Sequence, residues 1–367
     1  MAYTIKSQPT TPNCTYTDLV YNVSSSNAEQ PQFNYIMDVY ESGSATRLAR
    51  IRQFPNPVLE AVFDPSRIFN DNLEYYTNFG SSGYDPTGTG HVKTFNVEFG
   101  EEYGTSPSSS ITTYANQAND LIEVFPCQID PNNGNGYNYP DSGSSVFLTD
   151  RPSGVKEYVG AQYRIPFYNG DSSIVSMYGD VDGGGSTLLG VSANAFLSQG
   201  VYTNPTNGQT LTFTYNGVAN SRTFEDACDY PVYNFMFINK YGMWENFSTA
   251  LPVRGNVSLD KQSYEQTFVD YAGTGAYDVE RRGETNYSTG ITENLTISTD
   301  WLTKEAAQWI TQLIESDSVF VAVSPDNTVF KPIVITNASY VQNTGRKDQK
   351  TFMYDITFRY SNQRPGR

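Results

Sequence analysis

The sequence contains few charged residues, one histidine and three cysteines, and these shortages exclude several kinds of site. Lysine, arginine, aspartate and glutamate together make up only 17% of its 367 residues. The single histidine, His91, is the only one that a nucleophilic triad could use as its base, and no G-x-S-x-G motif surrounds any serine. We interpret His91 as an exposed residue at the start of a strand. One histidine and three scattered cysteines also argue against zinc, whose usual ligands are these two residue types.

The cysteines follow no recognisable spacing. Cys14, Cys127 and Cys228 are odd in number and far apart in the chain, which fits neither a disulfide framework nor a CxxC metal motif. The opening segment, residues 1–6, is not followed by the apolar run of a secretory signal. We therefore expect a chain made in a cytoplasm, with three unpaired thiols.

Long apolar runs and basic clusters are also missing. No stretch of about 18 apolar residues occurs, so the sequence predicts no membrane span. The formal net charge is −16, and the densest basic cluster is Arg346, Lys347 and Lys350. Because proteins that bind a duplex need clustered cations, we expect no direct contact with nucleic acid. An acidic surface does suit a conduit, since it repels the DNA that passes through it.

Aromatic and turn-forming residues are abundant instead. The chain has 28 Tyr, 21 Phe, 29 Gly and 19 Pro. Tyrosine favours half-buried pleated surfaces, and glycine and proline supply turns between short strands. The composition predicts a mainly β protein built from antiparallel sandwich-like or barrel-like domains with few short helices. We place three domains at residues 1–145, 146–223 and 224–367.

Alternation of apolar and polar residues predicts the strands. The predicted strands and hairpins are a hairpin over 32–54, a strand over 95–99, short strands at 155–159, 163–168, 174–178 and 211–215, a hairpin over 233–247 with its tip at Gly242, a long strand pair flanking 271–277, a strand pair over 319–335, and a closing strand over 351–360. The polar stretches 80–90, 104–110 and 130–145 are predicted to be loops.

Two helices are predicted. A short helix with Asp64 as its N-cap is expected to run toward Tyr76. A second helix, over about 303–316, has Thr303 as its N-cap, and Leu302 can pack on Ala307. The apolar face of this second helix consists of Ala306, Trp309, Ile310 and Leu313, at helical spacing. We expect this face to bury Trp309 against the sheet that contains Phe352 and Ile356.

Two acidic motifs are candidates for chemistry. The loop at 180–186, which begins Asp180-Val181-Asp182 and continues with glycines, resembles the opening of a calcium loop, but Val191 stands where an EF-hand needs a carboxylate. A loose calcium site and a plain glycine-rich turn both remain open. Glu101 and Glu102 form a carboxylate pair of the kind that glycosidases use. Since neighbouring strand residues point to opposite faces, they need not share a substrate. We expect no enzyme, and no catalytic, cofactor or metal site.

Several segments resemble one group of proteins. They are residues 12–40, Phe63–Ile68, Phe99–Tyr103, Phe147–Asp150, Phe235–Phe247 and Trp301–Phe320. These stretches are similar to virion structural proteins of tailed bacteriophages of Bacteroidetes and marine bacteria. The order of elements near the C-terminus also resembles that of tail-tube and baseplate-ring modules, a likeness of fold alone. The resemblance transfers no catalytic residues.

The resemblance implies a structural subunit located in the virion. We expect a tail, collar or tail-tip ring or adaptor protein that contacts copies of itself and other phage structural proteins around the DNA conduit. Tyrosine and phenylalanine should gather at the seams between subunits, because interfaces are enriched in aromatic residues, and carboxylates should avoid them. The alternatives are a capsid-surface decoration or fibre-anchoring protein, and a carbohydrate-binding or depolymerising tail protein.

Overall fold

Five β-sheets and two helices account for the secondary structure of the described residues in the computed structural model. The structure describes residues 3–362 except 10, 12, 75–82, 87–91, 128–144, 154, 160–162, 170–175, 182–185, 191–196, 203–205, 216, 228, 266–268, 270–272, 274, 276–282, 324–325 and 338–350. In chain order the elements are β1 (Thr4–Ser7), β2 (Asn13–Cys14), β3 (Tyr21–Ser24), β4 (Asn34–Glu41), β5 (Arg47–Gln53), β6 (Glu60–Phe63), α1 (Ser66–Asp71), β7 (Gly83–Pro86), β8 (Lys93–Tyr103), β9 (Thr112–Phe125), β10 (Ser145–Phe147), β11 (Glu157–Tyr158), β12 (Tyr163–Asn169), β13 (Ser176–Val181), β14 (Ser186–Gly190), β15 (Leu197–Tyr202), β16 (Thr210–Tyr215), β17 (Val218–Glu225), β18 (Tyr233–Ile238), β19 (Trp244–Thr249), β20 (Val253–Glu265), β21 (Glu284–Ser298), α2 (Lys304–Glu315), β22 (Val319–Val323), β23 (Asp326–Ile335) and β24 (Asp355–Tyr360).

The N-terminal region contains two sheets that share one core. Their strand orders are β1-β3-β6 and β2-β9-β8-β4-β5. The predicted alternation in β8 is confirmed, because Phe95, Val97 and Phe99 are all fully buried in this core. The predicted hairpin over 32–54 is β4 and β5, which pair in antiparallel fashion. Each strand thus contributes one apolar face to the space between the sheets.

The middle region also contains two sheets, with orders β10-β12-β15-β7 and β11-β17-β16-β13-β14. Its small core includes Tyr163, Ile165 and Phe213. Strand β7 lies within residues 80–90, which were predicted to be loop only, and it pairs with β15 of the middle region. The chain therefore crosses the predicted boundary at residue 145. The bounds of the three predicted domains stay predictions.

The C-terminal region is one seven-stranded sheet of order β19-β18-β22-β23-β24-β21-β20, with α2 packed on one face. The predicted hairpin is confirmed as β18 and β19, and Gly242 in its turn has a positive φ of 75°. A side chain at Gly242 would also lie 2.7 Å from the carbonyl oxygen of Pro126. Glycine is needed here both for the turn and for the close approach to the end of β9.

The two helices match the sequence to different degrees. For α2 the prediction is confirmed: the Thr303 hydroxyl accepts a hydrogen bond from the Ala306 backbone N–H at 3.3 Å. The first helix, α1, is shorter than predicted and spans only Ser66–Asp71. Pro65 occupies its N-cap position, and the carboxylate of Asp64 accepts from the Ser66 backbone N–H at 3.0 Å. Tyr76 lies outside the described residues.

Candidate interaction surface

The carboxylates of Glu101 and Glu102 do not converge on one point. They are neighbours on β8 and point to opposite faces of the sheet, as the strand geometry predicts. Glu101 accepts hydrogen bonds from the Ser25 hydroxyl at 2.5 Å and the Asn27 amide at 2.7 Å. Glu102 accepts from the Arg52 guanidinium at 2.8 Å, and this hydrogen bond lowers the pKa of Glu102 below its ordinary value. Both carboxylates are buried and bound to structural partners.

The other candidates from the sequence fall largely outside the described residues. His91 and residues 182–185 are among those that the structure does not describe. Asp180 and Val181 lie on β13, which pairs in antiparallel fashion with β14. Within the described part of the chain, no group of three or more histidine, cysteine, aspartate or glutamate residues could hold a metal ion.

The prediction of three unpaired thiols is wrong for two of the cysteines. Cys14 and Cys127 form a disulfide bond, with their Cα atoms 4.8 Å apart and a separation of 113 positions in the sequence. Strand β2 pairs in parallel with the end of β9, so Cys14 lies opposite Phe125 and close to Cys127. Both cysteines are buried. The spacing of the cysteines in the sequence does not predict this disulfide, because only the tertiary fold brings β2 and the end of β9 together. Cys228 is outside the described residues.

A buried ionic network joins the middle region to the C-terminal sheet. Two arginines and two glutamates, Arg151, Arg222, Glu157 and Glu245, are at most 6% exposed. Glu157 lies 2.9 Å from the Arg151 guanidinium and accepts a hydrogen bond from the Ser248 hydroxyl at 2.6 Å. Burial lowers the pKa of Arg151 to about 9, Arg222 acts in the same direction, and Glu157 opposes both. Arg151 therefore stays charged at neutral pH. The ion pairs of the network connect the middle region with strand β19 of the C-terminal sheet.

The clearest candidate site is a long ribbon formed by β20 and β21. The two strands pair in antiparallel register from Val253 opposite Ile297 to Glu265 opposite Glu284. Every residue from Arg254 to Glu265 is exposed. The predicted long strand pair flanking 271–277 is confirmed by these two strands. The ribbon thus extends beyond the body of the seven-stranded sheet.

One face of the ribbon continues the apolar face that covers the core. At its base, Val253 and Leu295 pack against the C-terminal core. Further along the same face come Val257 and Leu259, which are 55% and 54% exposed. Ile291 lies directly opposite Leu259. An apolar face on an antiparallel sheet is normally covered by a second layer, and no described part of this chain covers the outer half of this one.

The outer edge of the ribbon is also open. Strand β20 is the last strand of its sheet, so its second edge pairs with no strand among the described residues. An edge strand of this length presents a row of backbone donors and acceptors that another chain can bind. The uncovered face and the open edge together define the candidate interaction surface.

A small cleft lies beside Trp301. Its volume is about 80 Å³, and its lining residues include Tyr158, Phe247, Asp300, Trp301 and Ala306. The Trp301 side chain is 66% exposed at this cleft. An aromatic ring beside carboxylate and hydroxyl groups is a surface on which a sugar ring can stack.

The sequence predicts the two strands of the ribbon but does not predict that they are exposed. The alternation of Leu295 and Ile297 supports the predicted strand pair, yet alternation does not reveal which face stays uncovered. None of the described helices has the length and apolarity that crossing a membrane requires. No protein-family model matches the chain, and no curated protein matches it.

Proposed function

We propose that the chain is a structural subunit of a bacteriophage particle and assembles with copies of itself. Its position would be a tail, collar or tail-tip ring around the DNA conduit, where it also contacts other structural proteins of the phage. The observation that carries this proposal is the ribbon of β20 and β21, whose outer apolar face and outer edge are covered by none of the described residues.

Physical chemistry favours a partner for the ribbon. Val257 and Leu259 leave apolar surface in water, which is unfavourable by about 25 cal/mol per Å². A two-stranded hairpin by itself is only marginally stable, and it gains stability when a further strand or layer is added. A neighbouring copy of the same chain can supply such a layer, so no second protein is needed. A repeated contact of this kind closes into a ring when the rotation between neighbouring copies allows it.

Two properties of the sequence support a place in a phage particle. Its resemblance to virion structural proteins covers segments from residue 12 to residue 320. Its net charge of −16 suits a ring whose inner surface must not retain DNA. The absence of a converging carboxylate pair at Glu101 and Glu102 also favours a structural role over glycoside hydrolysis.

The experiment is to measure the oligomeric state of the purified full-length chain by light scattering and electron microscopy. We expect closed rings or stable oligomers, and we expect Val257→Ser with Leu259→Ser to dissociate them. The matched control is Asn256→Ser with Ser258→Ala, two changes on the polar face of the same strand, which should leave assembly intact. A chain that stays monomeric at all concentrations would refute the proposal.

Imaging the whole particle with this chain labelled then decides its position. A label found at the tail, collar or tail tip supports the proposed ring. Label spread over the capsid shell, with copies in contact over less than about 800 Å² in total, supports the decoration or fibre-anchoring alternative instead.

The cleft beside Trp301 favours carbohydrate binding as a second candidate function. Stacking of a sugar on an exposed tryptophan predicts that glycans of the host surface bind the isolated chain. Trp301→Ala should abolish that binding, while Tyr287→Phe, a change at an aromatic residue on the ribbon, should not. No binding to a glycan panel would exclude this candidate.

A further inference from the structure

The loop between β5 and β6, residues 54–59, presents apolar side chains to solvent. Phe54 is 74% exposed, Val58 69% and Leu59 40%. Three exposed apolar side chains therefore lie within six residues of one short loop, and an exposed apolar group of this kind is a candidate interaction site. We refer to residues 54–59 as the apolar loop.

Hydrogen bonds hold the apolar loop in one shape. The Asn56 side-chain oxygen accepts from the backbone N–H groups of Val58 at 3.0 Å and Glu60 at 2.9 Å. The Leu59 carbonyl accepts from the Tyr35 hydroxyl at 2.7 Å. Pro55 restricts the backbone further. The loop is therefore preorganised, and a partner that binds it loses little conformational entropy in doing so.

Leu59 has an unfavourable backbone conformation. Its φ is +62°, in the left-handed region that a residue with a Cβ rarely adopts outside asparagine and aspartate. Glycine would relieve this strain at position 59, and the leucine side chain there is partly exposed. Strain of this kind accumulates at sites of function, and here it directs an apolar side chain outward.

The surroundings of the apolar loop are positive although the chain as a whole is acidic. The Arg52 and Lys6 side chains are 56% and 48% exposed, whereas their partners Glu102 and Glu60 are only 8% and 16% exposed. The cations therefore face solvent while the carboxylates that pair with them face inward.

The ribbon as a whole carries more carboxylates than cations. It has four carboxylates against two cations: Asp260, Glu265, Glu284 and Glu293 against Arg254 and Lys261. Glu293 is exposed and lies opposite Val257, on the apolar face itself. Lys261 lies on that face too, further toward the outer end of the ribbon.

We propose that the apolar loop of one copy docks on the apolar face of the ribbon of the next copy. Val58 and Leu59 then contact Val257 and Leu259, and the cations around the loop face Glu293. The two surfaces are different patches of the same chain, so the contact is head-to-tail, and it forms a closed ring when the rotation between neighbouring copies closes. This inference rests on the proposed function and specifies both surfaces of the interface between neighbouring copies.

Disulfide cross-linking tests the docking between two chains that each carry one free engineered cysteine beside the native Cys14–Cys127 disulfide. In a full-length Cys228→Ser background, Val58→Cys and Leu259→Cys are prepared separately, mixed and oxidised. We expect a cross-linked dimer in the mixture and none in either variant alone. Ser258→Cys, on the opposite face of the ribbon, replaces Leu259→Cys in the control mixture and should not cross-link to Val58→Cys.

The outcomes separate this inference from the proposed function. Leu259→Cys that cross-links with itself, or oligomers that form without any loop-to-ribbon cross-link, would overturn the docking while self-assembly stands. A chain that never self-associates overturns both.

Charge reversal provides an independent test. Glu293→Arg should weaken self-association by about tenfold or more, because the new cation opposes Arg52 and Lys6. Asp260→Arg makes the same change of charge on the polar face and should leave self-association nearly unchanged. Equal effects of the two variants would mean that only net charge matters, which contradicts docking at Glu293. Circular dichroism and thermal unfolding verify that both variants fold, since each position is exposed.

Discussion

Trp309 shows how one side chain unites three parts of the molecule. It lies on α2, is 1% exposed, and its ring centroid is 6.0 Å from those of Phe237 and Phe247 in the sheet. The Arg151 guanidinium, from the buried ionic network, stacks over the indole at 4.8 Å. The predicted burial of Trp309 is confirmed, and the same ring also contacts the network, which the helical pattern did not indicate.

Replacing Trp309 by alanine should lower the free energy of unfolding by about 3–5 kcal/mol, because a large cavity replaces a close-packed ring. Urea unfolding followed by circular dichroism measures the change. Trp301→Ala provides the control, since Trp301 is 66% exposed, and should change stability by no more than about 0.5 kcal/mol. Similar losses for the two tryptophans would contradict the packing described for α2.

Glu157 permits a comparison of buried and exposed ion pairs. Glu157→Gln leaves Arg151 and Arg222 buried beside a neutral amide, so we expect a loss of about 3–5 kcal/mol in unfolding free energy. Glu225→Gln removes a carboxylate that pairs with Lys156 at 2.9 Å on the surface, and it should cost less than about 1 kcal/mol. Urea unfolding of both variants provides the measurement, and a cost for Glu157→Gln as small as for Glu225→Gln would be the contrary result.

At the scale of elements, the short strand β2 depends on the disulfide that anchors it. β2 has only two residues and pairs with the end of β9. The disulfide lies in a small apolar cluster with Phe125, Leu148 and Met243, which come from β9, the start of the middle region and the β18–β19 turn. The covalent link therefore stabilises the place where the three regions meet.

Removing the disulfide should lower stability markedly. A closed loop of 113 residues restricts the unfolded chain, and losing a native disulfide typically costs about 2–5 kcal/mol. We expect Cys14→Ala with Cys127→Ala to unfold at lower urea concentration than the wild type. Reductant should shift the wild-type transition toward that of the variant and leave the variant unchanged. A wild-type transition that ignores reductant under unfolding conditions would show that the thiols are not paired.

At the scale of the whole molecule, the many tyrosines make stability dependent on alkaline pH. Burial raises the pKa of Tyr3 and Tyr21 well above the ordinary value of 10.0, and for Tyr21 the neighbouring Asp120 adds to the effect. The unfolded chain releases these protons more easily than the folded chain. The stability that the neutral phenols provide is therefore complete below about pH 10 and falls as the pH rises above it.

Unfolding free energies measured at increasing pH above about 10 should decline, and tyrosinate absorbance should appear together with the loss of structure. Tyr21→Phe should reduce this dependence on pH, since Tyr21 is fully buried and donates a hydrogen bond to Asp120 at 2.9 Å. Tyr287→Phe, at a residue 63% exposed, should leave the dependence unchanged. A flat profile for the wild type would contradict the burial of these phenols.

The sequence by itself determined the local elements. Alternation predicted the buried face of β8, and the spacing of Ala306 and Trp309 together with the Thr303 cap predicted α2. These signals are local, because the periods of two residues in a strand and 3.6 in a helix place apolar groups on one side of a single element. Much of the fold class and many of the strands follow from them.

Only the tertiary structure decided which distant segments meet. Three kinds of contact join residues that are far apart in the chain: the pairing of β7 with β15, the disulfide between Cys14 and Cys127, and the ion pair of Glu157 with Arg222. The pattern of a strand states that one face is apolar but does not state what covers it. The ribbon's alternation was therefore visible in the sequence, whereas its uncovered face, the feature on which the proposed assembly rests, follows only from where the rest of the chain packs.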